Sequence, residues 1–344
     1  MNLDIKKLNL KEKEIVFSLS VIQFAMYSIP ELWEMFQIGE NEQYAFFDTV
    51  HDLSVKSYLK RNKDLYGLKP GNAHFIRKNY NPAYEDCSKL INNLLSKLES
   101  GNLDYEKQFV PVYQKLEFLL NNMKANSLHM AHLSFVLSNN LVHFKKFEEA
   151  LKYNQMAVEI SESIDNRHPS IAIYYRNKAV IHKKLGNTQM SIFYSLKDIE
   201  ILEKNAGRYD DLLPGSYFNL SKTYEDIHNY EKAIEYNLKA IQFEKKRKHQ
   251  RFVNLSGLYH NLAYYYLKVN NLQNASLFID KAVEFFSKEK ITNNEQYKHL
   301  IRDQRRFKSL FKAQKFVVKY KYHILILLFL ILFSGIWGLI RIFG

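Results

Sequence analysis

Twelve His, one Cys and 36 acidic residues are the raw material for chemistry in this chain of 344 residues, and their spacing decides what they can do. His129 and His132 stand three apart on a helical period, with His143 further along. A metal ion needs three or four converging nitrogen, oxygen or sulfur donors, and no carboxylate completes that set, so no metal site is expected there. Cys87 has no His partner pattern, and a lone intracellular Cys is usually inert. A Gly-rich phosphate loop, a GxSxG elbow and an HExxH helix are all missing from the sequence, so neither catalytic residues nor a cofactor are expected. What does recur at fixed spacing is an amide: Asn177, Asn219 and Asn261 stand at equal intervals along the chain. An amide offers both a donor and an acceptor, and a ladder of them can bond the main chain of an extended peptide.

The elements that must carry this ladder repeat with it. The segment YFNLSKTYEDIHNYEKAIEYNLKAIQF from Tyr217 returns one interval later as YHNLAYYYLKVNNLQNASLFIDKAVEF from Tyr259. It is also found one interval earlier, as YRNKAVIHKKLGNTQMSIFYSLKDIEI from Tyr175, and a weaker copy starts at Ser134. Each copy holds two helical periods joined by a short polar turn. Small residues seven apart mark the second helix: Ala150 and Ala157, Ala233 and Ala240, Ala275 and Ala282, and in degraded form Ser191 and Asp198. Small side chains let the paired helices approach closely, and a single pair cannot bury its apolar faces, so neighbouring pairs must stack.

This pattern resembles the tetratricopeptide repeat family, and its 42-residue period resembles the repeats of kinesin light chains. The entry His168-Pro169-Ser170-Ile171-Ala172 looks like the HPxxA helix start of that variant, and the recurring Asn precedes its Leu-small pair. Lys178 replaces the expected Leu, His182 replaces Tyr, and Val136 stands where the first copy would carry Asn. The resemblance implies an all-α fold, a right-handed helical solenoid over residues 128–290, whose concave face clamps a peptide with Asn177, Asn219 and Asn261. Internal hydrogen bonding of the same amides is the competing role. Other side chains expected on that face are Arg176, Lys183 and Lys184, then Lys222 and Glu225, then His260 and Tyr264; the cations would favour an acidic ligand. Arg176 and His182 also resemble the short Arg-His element of HEPN-type helical ribonucleases, although both already occupy repeat positions.

The ends of the chain read differently. Ile324 to Ile340 is seventeen residues without a charge, about 26 Å of helix, enough to span a bilayer's hydrocarbon layer. Tyr320, Tyr322 and Trp337 stand where interfacial aromatics belong. From Lys298 to Lys321 nine Lys or Arg face one acid, Asp303, so most of the formal net charge of +13 collects beside this stretch. That is a signal for cytoplasmic orientation and for anionic lipid headgroups rather than for nucleic acid, since little excess charge remains elsewhere. The apolar run at residues 15–24 follows a mixed-charge segment with no small-x-small cleavage pattern, so an amphipathic helix ended by Pro30 is expected instead of a signal peptide.

The expected organisation is therefore an N-terminal helical region over 1–80, with helices near 11–38 and 44–66 and a loop around Lys69 to Asn72. A capping or degenerate repeat follows over 81–127, its second helix interrupted by Pro111. Four repeats occupy 128–290, a capping helix and basic segment 291–321, and a transmembrane anchor 322–344. The functional expectation is a single-pass membrane adaptor, its bulk cytoplasmic, that recruits a protein or peptide ligand. A bilayer-perturbing effector whose copies self-associate through Ser334, Gly335 and Gly338 stays open beside it. So does an enzyme built on residues 1–80.

Overall fold

The computed structural model describes the chain except residues 1–3, 23–24, 102, 124–126, 167, 206, 248–250, 289–293 and 344, and it describes only the backbone at 322–328 and 332–343. It packs as two compact units, Met1–Ile201 and Leu202–Gly344.

The first unit opens with α1 (Leu10–Ser20). A reciprocal cap starts this helix: Asn9 accepts from the Glu12 amide while Glu12 accepts from that of Asn9. The buried Glu12 carboxylate also accepts a hydrogen bond from Lys56 Nζ at 2.8 Å. A small sheet then interrupts the helices expected over 1–80, although the described chain as a whole is all-helical. Strand β1 (Tyr27–Ser28) leads into α2 (Ile29–Met35), followed by α3 (Gln43–Val55), β2 (Leu59–Asn62), β3 (Leu65–Leu68) and α4 (Pro70–Tyr80). The three strands form one antiparallel sheet in the order β1-β3-β2, with Tyr27 opposite Tyr66 and Leu59 opposite Leu68. Gly67 makes this possible, because a Cβ there would lie 2.4 Å from the Ala25 carbonyl oxygen.

The expected long helices near 11–38 and 44–66 are thus corrected, and so is the loop around Lys69. Pro30 and Pro70 each stand in the first turn of a helix, where the missing N–H costs nothing. Pro111 does the same for α6 (Val110–Asn122), which follows α5 (Ser88–Glu99) and a π-helical turn at Tyr105–Phe109. One continuous apolar core runs from Ile5 through Leu53, Leu116 and Leu137 to Ile181.

Helical hairpins follow: α7 (Leu128–His143) with α8 (Phe147–Ile164), and α9 (Ser170–Lys184) with α10 (Thr188–Lys204). In the second unit α11 (Leu213–Asp226) pairs with α12 (Tyr230–Lys246), and α13 (Phe252–Lys268) with α14 (Leu272–Ser287). Ala150, Ala157, Ala233, Ala240, Ala275 and Ala282 are all fully buried, as close helix approach demands. The turns inside the hairpins share one device, a left-handed residue at Lys145, Gly186, His228 and Asn270, which reverses the chain at the same register in each copy.

The last helix, α15 (Glu295–Phe343), is 49 residues long. Its first turns dock on α14 through buried Leu300 and Phe307, with Tyr297 against Phe286. Beyond them Phe316, Val317, Val318, Phe329, Leu330 and Ile331 are exposed. Among the described residues no helix is long and apolar enough to cross a membrane; the expected span over Ile324–Ile340 falls mostly on residues whose side chains lie outside the described set.

Candidate peptide-binding face of the repeats

The three recurring Asn have the same sequence register and different surroundings. In the first unit Asn177 lies half-buried on α9 and donates through Nδ2 to Ser138 Oγ of α7 at 3.2 Å. Ser138 in turn donates to the Ala150 carbonyl at 2.8 Å. The Asn177 amide is therefore engaged within the fold. Ser138 is the small residue after Leu137, and its counterparts in the next two copies are Ala179 and Ser221. In the second unit Asn219 is half-buried on α11, where its carbonyl accepts from the Thr223 hydroxyl at 3.0 Å. Asn261 is half-buried on α13, and among the described residues no hydrogen bond engages its side-chain amide.

Two cavities of the second unit meet at Asn261. One of about 420 Å³ lies between α11 and α13 and is lined by Phe218, Glu244, Arg247, Asn254 and Leu258. The buried Glu244 carboxylate holds Arg247 Nη1 at 3.1 Å and accepts from Asn254 Nδ2 at 3.2 Å. The other cavity, about 470 Å³, is lined by Glu225, His260, Tyr264, Asp303 and Arg306. A network ties its wall together: Glu225 accepts from the Lys222 ammonium and from the Tyr265 hydroxyl, the latter at 2.8 Å. Burial, with Glu225 accepting its hydrogen bond, pushes the Tyr265 phenol far above its ordinary value, so it remains a donor at any physiological pH. Lys268 lies over the Tyr264 ring.

The other expected cations are less available than the sequence implies. Arg176 is bound to Asp198, Nε to Oδ2 at 3.1 Å, and Asp198 is the residue that replaces the small Ala of the other copies. Lys183 is half-buried and Lys184 exposed on the last turn of α9. Arg176 and His182 do not converge, because His182 stacks on Tyr194 with ring centroids 5.3 Å apart. His129 stacks on Tyr84, His132 faces Glu99 and His143 packs edge-on to Phe144, so these three imidazoles serve three separate contacts. Cys87 is buried.

One constellation escapes a reading of the sequence: His260, His299 and Asp303, whose ligand atoms lie within 4.8 Å of one another. His260 belongs to α13 and the other two to α15, with the whole of α14 between them, so no local pattern links the three. The His-x-x-x-Asp spacing on α15 is the one signal that the sequence offers.

Residues 214–247 and 256–288 match the family model for the tetratricopeptide repeat. These are α11 with α12, and α13 with α14. BtubC (BKLC) from P. vanneervenii is similar in structure, with TM-score 0.50, 16% identity, and 60% of this chain and 81% of that chain covered. The nearly identical TPR-like repeats of a protein described as a putative kinesin light chain of Podosopora anserina match 56% of this chain and 92% of their own, at 16% identity and TM-score 0.48. A signal transduction ATPase (STAND) protein with a tetratricopeptide repeat sensor, from Pyrococcus horikoshii, covers 87% of this chain and 54% of its own, at 16% identity and TM-score 0.45. At that identity the likeness to BtubC speaks for the fold alone. No curated protein matches the sequence significantly.

Proposed function

We propose that the chain is a peptide-binding adaptor whose ligand lies across α11 and α13 and whose C-terminal segment holds it at a membrane. The observation that carries the reading is Asn261. It is a half-buried amide with no hydrogen-bond partner among the described residues, and it stands where two cavities meet on a tetratricopeptide hairpin. An extended peptide satisfies both halves of such an amide through its own N–H and C=O. Tyr264 and Phe218 supply apolar walls on either side, and Arg306 and Lys268 favour an acidic ligand.

The membrane part rests on α15. Phe329, Leu330 and Ile331 are exposed on consecutive positions, an arrangement that water penalises and lipid does not. The uncharged run from Ile324 to Ile340 and the nine cations before it extend the same reading and favour the cytoplasmic side for the repeats.

Both parts are open to direct test. A displayed peptide library selected on the full chain should yield peptides whose affinity falls about 5-fold to 100-fold with Asn261→Ala, the range for losing one or two buried hydrogen bonds. Peptides that bind the variant equally well would remove Asn261 from the site. The full chain should float with vesicles, more strongly when they contain anionic lipid, and a chain cut before Tyr322 should not. Equal flotation of both would refute the anchor.

A further inference from the structure

The fold brings two imidazoles and a carboxylate together across a helix–helix contact. His260 Nε2 of α13 lies 2.8 Å from Asp303 Oδ2 of α15, and His299 Nδ1, one turn before Asp303, lies 3.3 Å from the same oxygen. The two imidazole rings stand nearly perpendicular, 87° apart, with centroids separated by 6.1 Å. A tetrahedral ion bound at about 2.0–2.2 Å keeps its ligand atoms roughly 3.4 Å from one another. The side between His299 and Asp303, at 3.3 Å, already matches that length; the 2.8 Å side must open by about 0.6 Å and the third, at most 4.8 Å, must close, movements that His299, with a side chain 63% exposed, can share.

We propose that His260, His299 and Asp303 form a binding site for a zinc-class divalent cation that staples α15 to the last repeat. Two nitrogens and one carboxylate oxygen suit a borderline ion, whereas calcium and magnesium take six or more oxygens. The donors stand on helices held by other contacts: Leu300 and Phe307 are buried, Gln304 Nε2 donates to Asp280 of α14 at 2.6 Å, and Lys308 pairs with Asp280 at 2.8 Å. Donors on such a scaffold lose little freedom when the ion arrives. The cavity lined by Tyr264, Asn261 and Arg306 gives access from solvent and leaves room for a water as fourth ligand. None of this depends on the peptide reading.

The test uses the full chain stripped with a chelator and titrated with zinc chloride by calorimetry and with cobalt chloride by absorption. Expected are one equivalent of zinc, the visible bands of four-coordinate cobalt, and slower amide exchange in α13 and α15 when zinc is present. His299→Gln, at an exposed position, should keep the circular dichroism spectrum, weaken binding at least about tenfold and abolish the exchange effect. His260→Gln should weaken binding in the same way. The proposal is overturned if the intact chain binds neither ion, or if both variants bind as tightly as the intact chain.

Discussion

The contact between Asn177 and Ser138 decides how much of the Asn ladder is free to meet a ligand, and a double-mutant cycle measures it. Asn177→Ala removes a neutral, half-buried hydrogen bond of 3.2 Å, worth about 0.5–1 kcal/mol. Ser138→Ala removes that bond and the buried one to the Ala150 carbonyl at 2.8 Å. The carbonyl keeps its helical partner, so the total cost should be about 1–2 kcal/mol. The coupling energy between the two substitutions should then be about 0.5–1 kcal/mol. The chain has two Trp, so urea unfolding followed by Trp33 fluorescence in a Trp337→Phe background reports on the first unit. A coupling indistinguishable from zero would mean that the Asn177 amide is not held by Ser138 and is as available as Asn261. Asn261→Ala, measured by circular dichroism, is expected to change stability by less than about 0.5 kcal/mol, because no partner among the described residues is lost.

Three further outcomes follow from buried groups. Asn237 is fully buried on α12, and among the described residues neither of its amide atoms has a partner, whereas Asn154 at the matching position donates to the Tyr174 carbonyl. Asn237→Ile, the residue type found there as Ile279 in the next copy, should stabilise the second unit by about 1–3 kcal/mol in urea unfolding, and a loss of stability would show that the amide is satisfied. Burial, helped by the Lys178 ammonium, holds the His182 imidazole below its ordinary value. The unfolded chain therefore takes up a proton first: this contribution is complete above about pH 6.5 and is lost as pH falls toward the folded value. The melting temperature should drop less on acidification in His182→Gln than in the parent; identical pH profiles would contradict this. Burial likewise pushes the Cys87 thiol up to about 12, with Asp86 and Glu14 adding to it. At about pH 8 only about one thiol in ten thousand would be ionised, so a disulfide reagent should label urea-unfolded protein and spare the native one. Prompt labelling of native protein would show that Cys87 opens to solvent.

The repeats are legible because their signal is redundant. The buried alanines seven apart recur from copy to copy, and each copy restates the hairpin. The segment 1–80 lacks such reinforcement. Its strands are short, and Lys60, Arg61 and Asn62 hide the alternation that marks a strand. Pro30, Pro70 and Pro111 look like helix breakers, yet a proline that cannot continue a helix is equally suited to begin one, and only the packing around it separates the two. The site is legible by position and not by state. Sequence puts Asn177 and Asn261 in one register, but what engages Asn177 is a hydroxyl far back in the chain, on a neighbouring helix. The cluster of His260, His299 and Asp303 is illegible for a similar reason, since its members meet only when α15 folds back onto the fourth repeat.

The unbroken length of α15 has a mechanical consequence. Its first turns are fixed against α14 and α13 by Leu300, Phe307 and Asp303, and no proline or glycine interrupts it between Glu295 and Ser334. A helix without a hinge transmits rotation as well as position, about 100° for every residue. The docked end and the Ile324–Ile340 backbone thus share one uninterrupted helix. One residue inserted after Lys312 would leave both ends intact and turn one against the other by more than a quarter of a circle.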